Sequence, residues 1–304
     1  MNLHHDKEAF AELISGAANE LTIPTNVIEK DYYVTIILKA LTAKIKDLVF
    51  KGGISLTKCY QLLDRFSEDI DLSYTAESGM PGESRKRQLK KNIVSTIEGF
   101  GFTINNLEAT RSRRNYNCYR AGYPSVYEKN GILNPELVIE TYVAMLPFPT
   151  TKRMVDNYIY RFLNKIGRLD LAEIYDLMPF EITTQTIERT LVDKVFALCD
   201  YYMQKKTERH SRHLYDIHKI VENMGISDEL QKLILEVRAM RSEMIVCPSA
   251  KEGVCVADVL REIIESQVYK SDYEEITMGL LFVPETYDAV IQSLKKILDS
   301  GMWN

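Results

Sequence analysis

The stretch from Phe50 to Tyr74, FKGGISLTKCYQLLDRFSEDIDLSY, limits what this chain can fold into more than any other. Leu48-Val49-Phe50 is an apolar lead-in that predicts a short buried strand. Gly52 and Gly53 follow, and then Ile54 to Leu63 has helix formers with apolar residues at helical intervals. A second short strand is expected at Asp69-Ile70-Asp71-Leu72. Two glycines between strand and helix let a backbone come close to a ligand, and the start of a helix favours phosphate. Residues i and i+2 of a strand point to one face, so Asp69 and Asp71 present two carboxylates side by side. Such a pair repels itself unless a cation lies between, and hard oxygen ligands suit Mg²⁺ or Mn²⁺. A phosphate cradle beside a divalent-metal pair is what nucleotidyl transfer needs.

Gly52-Gly53-Ile54-Ser55-Leu56 followed by Phe66-Ser67-Glu68-Asp69-Ile70-Asp71-Leu72 resembles the signature of the AbiEii-type nucleotidyltransferase toxins, members of the polymerase-β-like superfamily. Thr190-Leu191-Val192-Asp193-Lys194-Val195-Phe196-Ala197-Leu198 is similar to that family's lysine-bearing helix. Arg212-His213-Leu214-Tyr215-Asp216-Ile217-His218 resembles its Arg-Asp-Leu-Tyr-Asp-Leu element, and Glu29-Lys30-Asp31-Tyr32 also fits. The similarity runs from about Glu29 to His218. Gly53 stands where the superfamily often has serine, which leaves phosphate contact there to the backbone, and His213 where the family often has aspartate.

The resemblance implies an α+β fold: a polymerase-β-like nucleotidyltransferase domain with a mixed sheet over residues 1–180, and a C-terminal helical bundle over 181–304 contributing to the active-site cleft. It implies an NTP substrate with Mg²⁺ (or Mn²⁺) held by Asp69 and Asp71, transfer of NMP to an RNA acceptor, the tRNA 3′ end, and a cognate antitoxin protein. Gly52, Gly53, Ser55 and Lys194 are the expected nucleotide-binding residues, and Asp69, Asp71, Lys194, Asp216 and Glu140 the expected catalytic ones. Nucleotidylation of a protein by the same site is one alternative. A non-catalytic module of this fold that binds RNA or protein is another, and the intact carboxylate pair argues against it.

Each of these residues also has a plain structural reading. Ser55 either touches phosphate or caps its helix. Lys194 shares a helix face with Leu191, Val195 and Leu198, so it either faces a groove that takes a triphosphate or snorkels from the helix. Asp216 can instead pair with Arg212, four residues earlier. Glu140, the single acid in the strand-like Leu137 to Val143, is either a third metal ligand or base, or an outward-facing glutamate. Lys30 and Asp31 are either functional or a surface pair at a helix start. His210, His213 and His218 fit no metal-ligand spacing and read as surface or packing residues.

Composition bounds the rest. At 304 residues the chain has room for a large core and two domains, with 45% hydrophobic and 27% charged residues. A formal net charge of -5 supplies no global basic field, so RNA contact must use local patches. Two are available: Arg85 to Lys91, and Arg111, Arg113, Arg114 and Arg120 interleaved with Tyr116, Tyr119 and Tyr123. Five scattered cysteines favour reduced thiols and a cytoplasmic setting, and no apolar run approaches a membrane span.

Helices are expected over residues 6–20, 26–43 (capped by Thr25) and 83–99, with a loop at Gly79-Met80-Pro81-Gly82. Strands are expected near 102–104, 116–119 and 137–143, a loop from Pro147 to about Asp156, and a short helix at Ile159 to Ile166. Beyond Phe180 the pattern is almost wholly helical, with helices near 186–205, 211–223, 227–243, 257–266, 271–281 and 285–300.

Overall fold

The computed structural model describes residues 1–65, 67, 69–74, 82–127 and 134–304. Phe66 and Glu68 of the central motif, and Gly79-Met80-Pro81 of the expected loop, lie outside the described residues. The chain forms two compact units, Met1–Tyr60 with Ser67–Thr184, and Gln61–Phe66 with Gln185–Asn304.

In the first unit, α1 (Lys7–Leu21) starts where the Asp6 side chain accepts a hydrogen bond from the Ala9 amide. It buries Phe10, Leu13, Ile14 and Ala17, the i, i+3, i+4, i+7 stripe of an amphipathic helix. α2 (Thr25–Lys44) is buried nearly all round, from Val27 to Leu41. Thr25 is its first residue rather than its cap; Pro24 holds the cap position and offers no side-chain bond. The chain continues through β1 (Leu48–Lys51), α3 (Gly52–Lys58), β2 (Asp69–Tyr74), α4 (Glu83–Gly99), β3 (Thr103–Ile104), β4 (Tyr116–Gly122) and β5 (Glu136–Tyr142). β6 (Thr150–Val155), α5 (Tyr158–Lys165), α6 (Leu169–Ile174) and β7 (Phe180–Gln185) complete the unit.

The strands form one mixed sheet in the order β3-β4-β5-β2-β1-β7-β6. β2 runs parallel to β5 and β1 parallel to β7, while β1 with β2 and β4 with β5 are antiparallel. Period-two alternation gives the sheet two unlike faces. Phe50, Ile70, Leu72, Tyr119, Ala121, Leu137 and Ile139 join one core with Tyr33, Ile37 and Leu41 of α2 and Leu89, Ile93 and Ile97 of α4. The opposite face carries Lys51, Asp69, Asp71, Cys118, Glu140 and Tyr142, all only partly buried.

Two expectations give way here. The run from Pro147 to Asp156, read as loop, contains β6, and the wholly helical region begins only after β7. α3 is also shorter than Ile54 to Leu63 implied, ending at Lys58.

The second unit contains α7 (Ile187–Met203), α8 (Arg212–Met224), α9 (Glu229–Ser242), α10 (Val256–Ser266), α11 (Lys270–Asp272) and α12 (Tyr287–Asp299). α11 runs on into a π turn at Tyr273–Thr277 and a 3-10 turn at Met278–Leu280, where one helix was expected. α8 buries Leu214, Ile217, Ile220 and Val221, α12 buries Val290, Ile291, Leu294 and Ile297, and the two pack together. A buried polar hub ties α7 to α9 and the following turn. Arg241 bonds Asp200 at 2.7 Å, and the Ser249 amide and hydroxyl both donate to the other Asp200 oxygen. All five cysteines are free thiols. No helix among the described residues is long and apolar enough to cross a membrane.

Candidate active site

The sheet brings three of the expected residues to one face of the first unit. Asp69 and Asp71 are two apart on β2, and Asp71 is in register with Glu140 on β5 and with Lys51 on β1. Registered neighbours and i+2 residues share a face, so three carboxylates and one ammonium stand on adjacent strands. The three carboxylates are each partly exposed. Gly52 explains the turn beside them. Its φ is 78°, a left-handed value that glycine adopts without a steric cost. A Cβ placed on Gly52 would lie 1.8 Å from Asp71 Oδ2, so the carboxylate rests directly on the glycine backbone.

Gly52 and Gly53 are the first two residues of α3. Ser55 is fully buried and its hydroxyl donates to the Gly52 carbonyl at 2.8 Å, bracing the turn from within. Glu140 is not simply outward-facing: the Tyr116 hydroxyl donates to its Oε1 at 2.8 Å. Burial and then the Glu140 charge push the Tyr116 phenol above its ordinary value, so it remains a donor. Cys118, in register with Glu140, has its thiol raised by burial first and by Glu140 second.

Whether these residues suit a divalent cation follows from their chemistry. Among the described residues no three acidic, histidine or cysteine side chains close around a point as a protein-only cage. Mg²⁺ rarely asks for one; it commonly takes one or two carboxylates and completes its octahedron with phosphate oxygens and water. The oxygen donors of Asp69 and Asp71, one of them packed on a glycine, fit that demand.

Lys194 and Asp216 lie in the second unit and touch each other. Lys194 Nζ is 2.6 Å from Asp216 Oδ2, and Arg65 grips the same carboxylate at both ends, 2.6 Å from Nε to Oδ1 and 2.8 Å from Nη2 to Oδ2. Asp216 is wholly buried, Arg65 3% exposed and Lys194 7% exposed. Burial alone would raise the Asp216 carboxyl; Arg65 and then Lys194 outweigh it and hold the group below the usual carboxylate range. Lys194 is thus a member of a buried ion pair, and Asp216 draws on Arg65 and Lys194. Asp64, next to Arg65, accepts at its carbonyl from the Phe282 amide (2.7 Å) and pairs with Lys219 at 3.2 Å.

Glu29-Lys30-Asp31-Tyr32 is internal, so the surface-pair reading of Lys30 and Asp31 fails. Asp31 pairs with Lys58 at 2.5 Å and accepts from the Tyr158 amide, and Glu29 accepts from Ser125 and from the Val126 amide. Burial raises the Glu29 carboxyl despite those two bonds. Of the tyrosines in the second basic patch only Tyr116 is exposed, at 46%, while Tyr119 and Tyr123 are core residues; Arg111, Arg113, Arg114 and Arg120 are exposed, and Arg120 pairs with Glu136. In the first, Arg85 pairs with Asp47 and Lys90 bonds the Thr110 carbonyl. The histidines pack: His210 stacks on Tyr201 at 3.4 Å, and His218 shares a 2.9 Å hydrogen bond with Ser293. Burial, then Lys194, holds His213 well below its ordinary value.

Sequence reasoning missed Lys51, Arg65 and Tyr116 as members of these clusters. Lys51 had a signal, being the one charge at the end of an apolar strand. Arg65 adjoins the motif and had only that proximity.

The first unit thus sets a glycine turn on a strand carboxylate, with a second and a third acid on the same sheet face. The profile of the family described as Nucleotidyl transferase AbiEii toxin, Type IV TA system, matches residues 36–298, and the chain belongs to that family of toxin–antitoxin nucleotidyltransferases. The match starts after Glu29-Lys30-Asp31-Tyr32 and extends well past His218, through most of the helical region. Comparison with curated proteins gives no match.

Proposed function

We propose that this toxin transfers NMP from an NTP to the 3′ end of an RNA, tRNA being the acceptor the family resemblance favours. The observation that carries the reading is the common face of Asp69, Asp71 and Glu140, with Asp71 seated on Gly52. Asp69 and Asp71 would hold Mg²⁺ or Mn²⁺, which when bound supplies charge neutralisation at the phosphates. In the reaction the acceptor hydroxyl oxygen bonds the α-phosphorus as the bond from that phosphorus to the bridging oxygen breaks. Pyrophosphate leaves with the electron pair. Glu140, aligned by Tyr116, is the group to take the hydroxyl proton. Gly52 and Gly53 offer backbone at the turn where a phosphate approaches, and Ser55 keeps that turn closed.

Exposed Tyr116, on the same face, suits stacking against an unpaired terminal base. For Lys194 and Asp216 the geometry supports a buried hub that fixes α7 to α8, and a direct role at the nucleotide rests on the resemblance alone. Free thiols and these substrates accord with the cytoplasm, where the antitoxin called for by a Type IV system would also act.

The test is incubation of the protein with each labelled NTP, Mg²⁺ and total cellular RNA, followed by location of the label. Label at RNA 3′ ends with one NTP supports the reading. Label on protein alone, or no label with any NTP, overturns it.

A further inference from the structure

Among the described residues, Lys51 is a basic side chain on the carboxylate face that no acid holds. Arg120, on the same side of β4, is bound to Glu136 at 2.9 Å. Lys51 is in register with Asp71, yet its ammonium forms no ion pair among the described residues. It lies instead over the Tyr142 ring, 5.3 Å from the centroid. Tyr142 is two residues beyond Glu140 on β5, so the lysine reaches across β2 and stays on the face that carries the acids. The residue is partly buried, with its backbone fixed in the β1–β2 ladder and at the entry to α3.

A cation–π contact is weaker than a charge-assisted hydrogen bond to a phosphate oxygen. An ammonium resting on a ring therefore exchanges that contact readily for phosphate. Coulomb attraction to the neighbouring acids draws Lys51 only modestly at a solvated face. Once a divalent cation and a triphosphate occupy Asp69 and Asp71, the local charge is dominated by the phosphate tail, and Lys51, in register with Asp71 on the same face, is placed to answer it.

We propose that Lys51 is a nucleotide-binding residue of this site. Its ammonium leaves the Tyr142 ring to bind the β- and γ-phosphates of the bound NTP, and neutralises the pyrophosphate as it leaves. The proposal rests on the nucleotidyltransferase reading above and adds to it the group that distinguishes a triphosphate from a monophosphate. Tyr142 is the rest position, and Lys51 is the cation that balances negative charge the carboxylates themselves repel.

The experiment is calorimetric binding of the full-length protein to the α,β-methylene analogues of the four NTPs, to inorganic pyrophosphate and to the four NMPs, each with Mg²⁺. Lys51→Ala and Lys51→Arg are compared with the wild type, and circular dichroism is recorded for each. Lys51→Ala is expected to weaken the preferred triphosphate analogue and pyrophosphate by about tenfold or more, the loss of one charge-assisted phosphate contact. NMP binding is expected to stay unchanged, and Lys51→Arg to recover most of the loss. Equal affinity of wild type and Lys51→Ala for the triphosphate analogue overturns the proposal while leaving the nucleotidyltransferase reading intact. So does an equal loss for triphosphate and NMP, which marks a structural role. A wild type that binds none of the analogues overturns that reading and the proposal with it.

Discussion

Gly52 is where backbone geometry and chemistry meet. Its left-handed φ and the 1.8 Å approach of Asp71 Oδ2 to any added Cβ leave no room for a side chain. Gly52→Ala is expected to cost about 1 kcal/mol or more in backbone strain and to push Asp71 off its seat, so transfer activity falls much further than stability does. Denaturant midpoints and initial rates measured on one preparation check this. Arg65 has the opposite profile, mattering to stability first. Removing it by Arg65→Met leaves a fully buried Asp216 with Lys194 alone, and breaking one side of such a buried pair costs about 3–5 kcal/mol. The pH dependence has a definite sign. Asp216 ionises more readily folded than unfolded, so its contribution is full above the ordinary carboxylate value of about 4 and is lost as pH falls through the lower folded value. Arg65→Met moves the folded value back toward the unfolded one, so the stability gap between wild type and variant, followed by urea midpoints at several pH values, should be widest above about pH 4 and narrow as the pH falls below it.

At the level of elements, patterns visible within one segment were readable and patterns that depend on distant partners were not. α1, α4, α7, α8, α9, α10 and α12 follow apolar stripes, and α2 a longer apolar run, each contained within one window of the sequence. β6 reads Thr-Thr-Lys-Arg-Met-Val; as an edge strand it is mostly exposed, so no apolar alternation marks it. β7 is six residues abutting a strong helix start at Thr186, and its pairing with β1 crosses more than half the first unit. The carboxylate pair on β2 was legible because period two is a local rule. Its partner in register, Lys51, was not, since register between strands is a tertiary property. The surface alternative for Asp31 arose for the same reason: a charged run at a helix start looks solvated until Lys58 and the Tyr158 amide arrive from elsewhere. Asp31→Ala is expected to destabilise the fold by about 3–5 kcal/mol by stranding a buried Lys58 ammonium. A thermal midpoint within a degree of wild type would return that residue to the surface reading.

Across the whole molecule, composition and net charge bounded the class of protein without naming it. Family membership followed from a profile match over residues 36–298. The discontinuous second unit, which takes in Gln61–Phe66, has no compositional marker, because Asp64 and Arg65 are recruited by Lys219, Phe282 and Asp216 far along the chain. The proposed transfer turns on two acids of β2. The most direct measurement is transfer of labelled nucleotide to RNA by Asp69→Ala and Asp71→Ala, with the unfolding midpoint of each variant taken alongside. Loss of about a thousandfold or more in both, at an unchanged midpoint, is the predicted result. Near-wild-type transfer by both variants contradicts the account.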